Sequence, residues 1–254
     1  MDFDVAIPFG RWRSEAERTA CVSEALGRVS DMAIASRHLE QVPVGFTVDD
    51  ILRFPNDGLR YELIDGMLIL NPTAPPGFTA DDLRSLEDDG IRCELIDGML
   101  FVSPAPILRH QIAVEDIGDL LEASAPTGMR VFVSGVAWSI GEGTSLESDV
   151  VVVPEPEDRS DAAKGIVEPP MLAVEVLSPS TRRYDRTMKR SVYDEQGVGA
   201  YWIFDPVVDA PVIEVYERVA PGAPLELVAR AEGEERLALT TPWPVAVVPA
   251  DLLR

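Results

Sequence analysis

Three residues of this chain could do chemistry together. Asp149 opens the apolar run "DVVVV", Glu175 sits inside the run "MLAVEVL", and Lys189 closes the stretch "SPSTRRYDRTMK" that follows. A lone carboxylate in a buried strand costs on the order of several kcal/mol unless it is paired, protonated or bound to a cation. If the strands carrying Asp149 and Glu175 are neighbours, the two carboxylates can converge on one ion. Oxygen-only ligation suits Mg²⁺ or Mn²⁺ better than zinc, and two histidines, His38 and His110, are too few for a His-rich zinc site. Such an ion activates water and offsets charge on a phosphoryl oxygen. The ordinary alternatives are that Asp149 caps a strand and that Glu175 pairs with an arginine.

Lys189 stands out by composition. The chain carries 22 Lys and Arg residues, and Lys164 and Lys189 are its two lysines. Arginine is a permanent cation, whereas lysine is a compact point donor that adapts to a site. Arg182, Arg183, Arg186, Lys189 and Arg190 form a dense basic cluster in an otherwise acidic sequence. At about 100° per residue, Tyr184, Met188 and Val192 mark the buried arc of a helix, with Asp185 inside it. Lys189 is expected just beyond the rim of that arc, and Arg186 and Arg190 further towards solvent. The alternative is a solvated basic face.

The elements that must position these residues follow from periodicity. "ILRHQIAVEDIGDLLEAS" spaces Leu108, Ile112, Ile117, Leu120 and Leu121 along one helical face. "MRVFVSGVAWSI" and "DVVVV" read as strands, the second buried on both faces. A loop rich in proline and acid leads to the strand "MLAVEVL". A second helix is predicted from about Tyr184 to Gln196, stopping at Gly197, and "AYWIFD" is a further strand. "PVIEVYE", "LELVAR" and "RLALTT" are expected to extend the sheet as hairpins. The order is helix, three strands, helix, strand: an α/β or α+β domain around one mixed sheet.

Upstream, the sequence repeats itself. Phe46–Gly77 and Phe78–Arg109 align without a gap and share "ELIDGML" in full. Each copy reads as a short helix opened by Thr47 or Thr79, a turn at Asp57-Gly58 or Asp89-Gly90, and a hairpin turning at Asp65-Gly66 or Asp97-Gly98. A tandem duplication of one hairpin module is the simplest account. The first copy is expected to be an added hairpin that shelters a sheet edge or an oligomer contact, so that a chain beginning at Phe78 folds without it. Residues 14–40 read as helical, with a capping-box pattern at Ser14 and Glu17.

The net charge of −22 argues against broad attraction to nucleic acid or anionic membrane. No apolar run approaches the roughly 20 residues of a spanning helix, and the acidic N-terminus is unlike a secretory signal. Cys21 and Cys93 are isolated, as expected for reduced thiols in a cytoplasmic protein.

"ELIDGML…SPAP…RHQ", "SDVVVV", "EVLSPSTRRYDRTMKRSVYDEQGV" and "YWIFDP" together resemble the Uma-two family of restriction endonucleases, within the PD-(D/E)XK nuclease superfamily. The resemblance covers about residues 78–250. It implies a restriction-endonuclease-like core, a central mixed β-sheet flanked by helices. It also implies metal-dependent hydrolysis of DNA, with Asp149 and Glu175 as Mg²⁺ or Mn²⁺ ligands and Lys189 near the scissile phosphate. Glu94, in the second "ELIDG", would join the acidic cluster, and His110 matches a motif position without a defined role. The superfamily's proline before the aspartate is here Ser148. Its lysine two residues after the glutamate is here Leu177, the family's lysine having moved to the next helix, where Lys189 lies. Arg182, Arg183, Arg186 and Arg190 would contact phosphate.

The expected organisation is a helical extension (1–45), a first hairpin copy (46–77) and a nuclease-like domain (78–254). The expected activity is that of a Mg²⁺-dependent DNA endonuclease without a membrane partner, and a homodimer is one option for its assembly. Two alternatives stay open: a degenerate nuclease fold acting as a binding or regulatory module, and a metal-dependent hydrolase of a small phosphorylated substrate.

Overall fold

A computed structural model describes residues 45–52, 54, 59–72, 77–84, 92–155, 165–166, 168–206 and 210–254. The expected helix over 14–40, Cys21, and the turns at Asp57-Gly58 and Asp89-Gly90 lie outside them. The described residues fall into two compact units. One runs up to Ala105 and includes Ile140–Ser145; the other comprises Pro106–Ser139 and Leu146–Arg254.

In the first unit, α1 (Val48–Ile51) precedes the hairpin of β1 (Leu59–Ile64) and β2 (Met67–Pro72). Then α2 (Ala80–Arg84) precedes the hairpin of β3 (Arg92–Ile96) and β4 (Met99–Ser103). Each hairpin turns on an Asp-Gly pair with positive φ at both residues, 52° and 90° at Asp65-Gly66, 51° and 77° at Asp97-Gly98. This is the backbone a two-residue hairpin turn requires. β2 and β4 pair antiparallel in the middle of the sheet, and Leu95 of β3 lies opposite Ser145. Leu59, Leu68, Leu70, Phe78, Leu95, Leu100 and Val102 form one apolar cluster. The first copy is therefore built into the core of this unit: removing it would expose Leu100 and Val102 along an unpaired edge.

In the second unit, α3 (Leu108–Glu122) is followed by β5 (Met129–Val133), β8 (Val150–Pro154) and β9 (Leu172–Val176); between β5 and β8 the chain passes through β6 (Ala137–Ile140) and β7 (Thr144–Glu147), which are strands of the sheet that holds β1–β4. The strand expected across residues 129–140 is two strands, because Ser134 and Gly135 take positive φ and break the ladder. A helical segment, Arg182–Glu195, leads to β10 (Ala200–Asp205), β11 (Val212–Arg218) and β12 (Leu225–Glu232). The sheet order is β12-β11-β10-β9-β8-β5, with β9 and β10 parallel and the other pairs antiparallel. The mixed sheet and the order helix, three strands, helix, strand are those expected, with β6 and β7 inserted. "RLALTT" does not extend this sheet; β13 (Leu237–Leu239) pairs with β14 (Val245–Val247) in a separate ribbon.

Alternation along the strands gives the sheet two buried faces. Ala113, Val114, Ile117 and Leu121 of α3 pack with Val150, Val152, Leu172, Val174, Val176, Trp202 and Phe204. The intervening residues Glu175, Tyr201 and Asp205 bond to the Arg182–Glu195 segment instead. A strand covered on both sides reads as an unbroken apolar run. That explains "MLAVEVL" and the single carboxylate in it.

The segment Arg182–Glu195 is not one regular helix. α4 (Arg182–Tyr184) runs into a π-helical turn, Asp185–Lys189, and then α5 (Arg190–Glu195). A π turn takes in one extra residue, which rotates everything after it by about 100°. The buried positions are thus Lys189 and Tyr193, where a regular helix would bury Met188 and Val192. Lys189 is 1% exposed rather than at the rim of the packed face.

Candidate active site

β8 and β9 pair with Val150 opposite Val174 and Val151 opposite Ala173. Continued by one residue, this register sets Asp149 opposite Glu175. Opposed residues in an antiparallel pair share a face and start about 5 Å apart. Both carboxylates are buried. Asp149 Oδ2 accepts the Val176 N–H at 2.8 Å, so Asp149 does cap a strand, that of β9. His110 Nε2, from the first turn of α3, lies 3.2 Å from the same oxygen.

Glu175 is held from the other side. Its Oε1 accepts from Lys189 Nζ at 2.8 Å and from the Tyr193 hydroxyl at 2.7 Å. Among the described residues, the cation bonded to Glu175 is Lys189. Lys189 Nζ also donates to the Glu147 carbonyl at 3.0 Å, lies 4.0 Å from Asp185 Oδ1, and stands 5.7 Å from the centre of the Tyr184 ring. Tyr193 and Ser148 share a hydrogen bond of 2.9 Å, so Ser148, where the superfamily has proline, anchors the tyrosine. Tyr193 was not among the residues singled out in the sequence. Its place four residues after Lys189, on the same helical face, was the available signal.

The remaining expected residues are placed as follows. Glu94 is buried on β3 of the first unit, with Arg92 Nη2 4.0 Å from its Oε1; its membership of the acidic cluster rests on the resemblance. Arg182 makes a two-pronged pair with Asp205, one bond measuring 2.8 Å, and this bond raises the guanidinium above its already high value. Arg186 pairs with Glu214, and Arg190 stacks 5.1 Å from the centre of the Tyr216 ring. Burial, aided by Glu214, pushes the Tyr216 phenol up against the opposing pull of Arg190. Arg183 is exposed.

The model of the Uma2 family, described as "Putative restriction endonuclease", matches residues 80–248. The chain belongs to the Uma2 family. The matched span includes Glu94, His110, Asp149, Glu175 and Lys189 and begins after the first hairpin. The chain is also similar to a solved structure, that of "a putative nuclease belonging to DUF820 from Anabaena variabilis ATCC 29413". That similarity covers 69% of this chain and 97% of the other, at 16% identity and a TM-score of 0.52, and it is a likeness of fold. No curated protein matches. Among the described residues, no helix is long and apolar enough to cross a membrane.

The donor set of this Uma2 chain fits a hard divalent cation. Lys189 meets the carboxylates of Glu175 and Asp185, while Asp149 meets an imidazole. The Nδ1 atom of His110 is buried without a hydrogen-bond partner among the described residues, so the polar cluster is incompletely satisfied. No three His, Cys, Asp or Glu side chains of the described residues already converge on one point. Magnesium is commonly held in this way, by one or two carboxylates with water completing its shell.

Proposed function

We propose that this chain is a Mg²⁺- or Mn²⁺-dependent endonuclease that hydrolyses phosphodiester bonds of DNA. The observation carrying this reading is a pair of buried carboxylates at neighbouring strands, Asp149 bonded to the Val176 N–H of β9 and Glu175 bonded to Lys189. Asp149 and Glu175 would hold the ion, which supplies charge stabilisation at a phosphoryl oxygen and a more acidic water.

The chain's own residues do the rest. The Val176 N–H and His110 fix the Asp149 carboxylate, leaving little freedom in where it points. Tyr193, braced by Ser148, orients Glu175 as a positioning residue. Lys189 is a preorganised ammonium beside that carboxylate, and its buried charge would offset negative charge that develops at the site. Such a donor acts strongly because burial removes competing solvent. Arg182, Arg183, Arg186 and Arg190 would contact the phosphate backbone, which positions the duplex without reading its sequence.

The pairing of Arg182 with Asp205 and Arg186 with Glu214, in a chain of net charge −22, favours a second reading: a binding or regulatory module on a nuclease fold. One experiment separates the readings. Supercoiled plasmid and a small activated phosphodiester are each incubated with the protein at low salt, with Mg²⁺, Mn²⁺ or chelator. The proposal expects metal-dependent nicking or linearisation that Glu175→Gln abolishes. Turnover of the small ester with intact plasmid would point to a small-substrate hydrolase, and inertness towards both to the binding module.

A further inference from the structure

Two segments of the first unit carry the same geometry at a fixed spacing. In β1 and β2, Arg60 lies opposite Asn71 and Ile64 opposite Met67; in β3 and β4, Arg92 lies opposite Ser103 and Ile96 opposite Met99. The Thr47 N–H and hydroxyl donate to Asp50 at 2.8 and 2.7 Å, and those of Thr79 donate to Asp82 at 2.7 and 2.7 Å. The Phe46 N–H donates to the Gly66 carbonyl at 2.8 Å and that of Phe78 to Gly98 at 2.9 Å. Gly45 and Gly77 make the same close approach: an added Cβ would come within 2.6 Å of Gly66 and 2.7 Å of Gly98.

The contact between the copies is more informative than their likeness. β2 meets β4 with Leu68 opposite Val102, Ile69 opposite Phe101 and Leu70 opposite Leu100. Ile69 and Phe101 occupy the same place in the two copies. Leu68 faces the counterpart of Leu70, and Leu70 faces the counterpart of Leu68. That is how one strand pairs antiparallel with itself about a two-fold axis. All six side chains are buried. The Uma2 match begins at residue 80, so the first copy lies outside the family's own span.

We infer that the edge of β4 is a self-pairing surface, closed in this chain by its own first hairpin, which stands where β4 of a second copy of the chain would otherwise bind. An exposed, apolar strand edge is a template for another strand, and only an antiparallel partner lets two identical edges pair symmetrically. The duplicated hairpin supplies that partner within one polypeptide. The full chain is then monomeric through this edge, and a dimer through it requires β2 to be displaced.

The test uses the full chain. Successive strand residues send their N–H groups to opposite neighbours, so Ile69→Pro/Leu70→Pro removes a donor on the β4 side whichever residue supplies it. This variant is expected to sediment at twice the wild-type mass. Adding Leu100→Pro/Phe101→Pro should return it to the monomer. A folded Ile69→Pro/Leu70→Pro chain that stays monomeric at high concentration overturns the inference. If that variant loses the first unit, cross-linking decides on otherwise unaltered protein. Phe101→Cys, held under mild oxidant near the onset of melting, should give 101–101 disulfide dimers faster than a surface control, Leu227→Cys. Ile69→Cys/Phe101→Cys, closed within one chain, should give none. Equal rates for Phe101→Cys and the control overturn it.

Discussion

Lys189 and Glu175 share a buried contact of 2.8 Å, each about 1% exposed, and that burial fixes what their loss should do. Removing one partner of such a pair leaves an uncompensated charge, at a cost of about 3–5 kcal/mol. Lys189→Met is therefore expected to lower stability by that order in urea melts, not to leave it unchanged as a residue at the rim would. Replacing the pair, as Lys189→Met/Glu175→Leu, should recover part of the loss, because Glu175 is then no longer an orphaned carboxylate while Asp185 still loses its lysine contact. The cleavage rate should fall about 10²-fold or more in Lys189→Met, the effect of losing one preorganised donor. A Lys189→Met chain as stable as wild type would show that the pair is not formed. At this scale the sequence was partly legible. A carboxylate in an apolar run and a rare lysine signalled themselves by chemistry. Tyr193 and Ser148 did not, because a tyrosine on a buried helical face looks like ordinary core until its hydroxyl is seen to bond Glu175.

At the scale of elements, strands were easier to read than the helix between them. β8, β9 and β10 announce themselves as apolar runs because both faces of each are covered. The π turn at Asp185–Lys189 has no periodic signature, so a regular helix assigns burial to the wrong neighbours, Met188 and Val192. The extra residue also predicts an unusual tolerance. Deleting exposed Thr187 should convert the π turn to a plain α-helix while leaving Lys189 and Tyr193 where they are, with stability changed by about 1 kcal/mol or less. Deleting exposed Ser191 should instead swing Tyr193 about 100° away from Glu175. Thermal melts of the two deletions compare them directly, and equal damage would contradict the one-residue account of the turn. The repeat was plain in sequence, but not the pairing of β2 with β4, since strand order is set by contacts remote in sequence.

For the whole molecule, a net charge of −22 and a local cluster of arginines pull in opposite directions. Any binding to DNA should be confined to low salt and weaken steeply as salt rises, because it depends on counterion release at a few phosphate contacts. Arg183→Met should weaken binding evenly across sequences and lower the salt slope by about 1. An unchanged slope would remove Arg183 from the interface. Calorimetric titration of Mn²⁺ into the full chain, which needs no catalysis, tests whether Asp149 and Glu175 form a divalent-metal site. Wild type should bind the ion saturably, and Asp149→Asn and Glu175→Gln should each lose that binding while remaining folded. Mn²⁺ heats that are absent in wild type, or unchanged in both variants, would rule out a metal site at these two carboxylates.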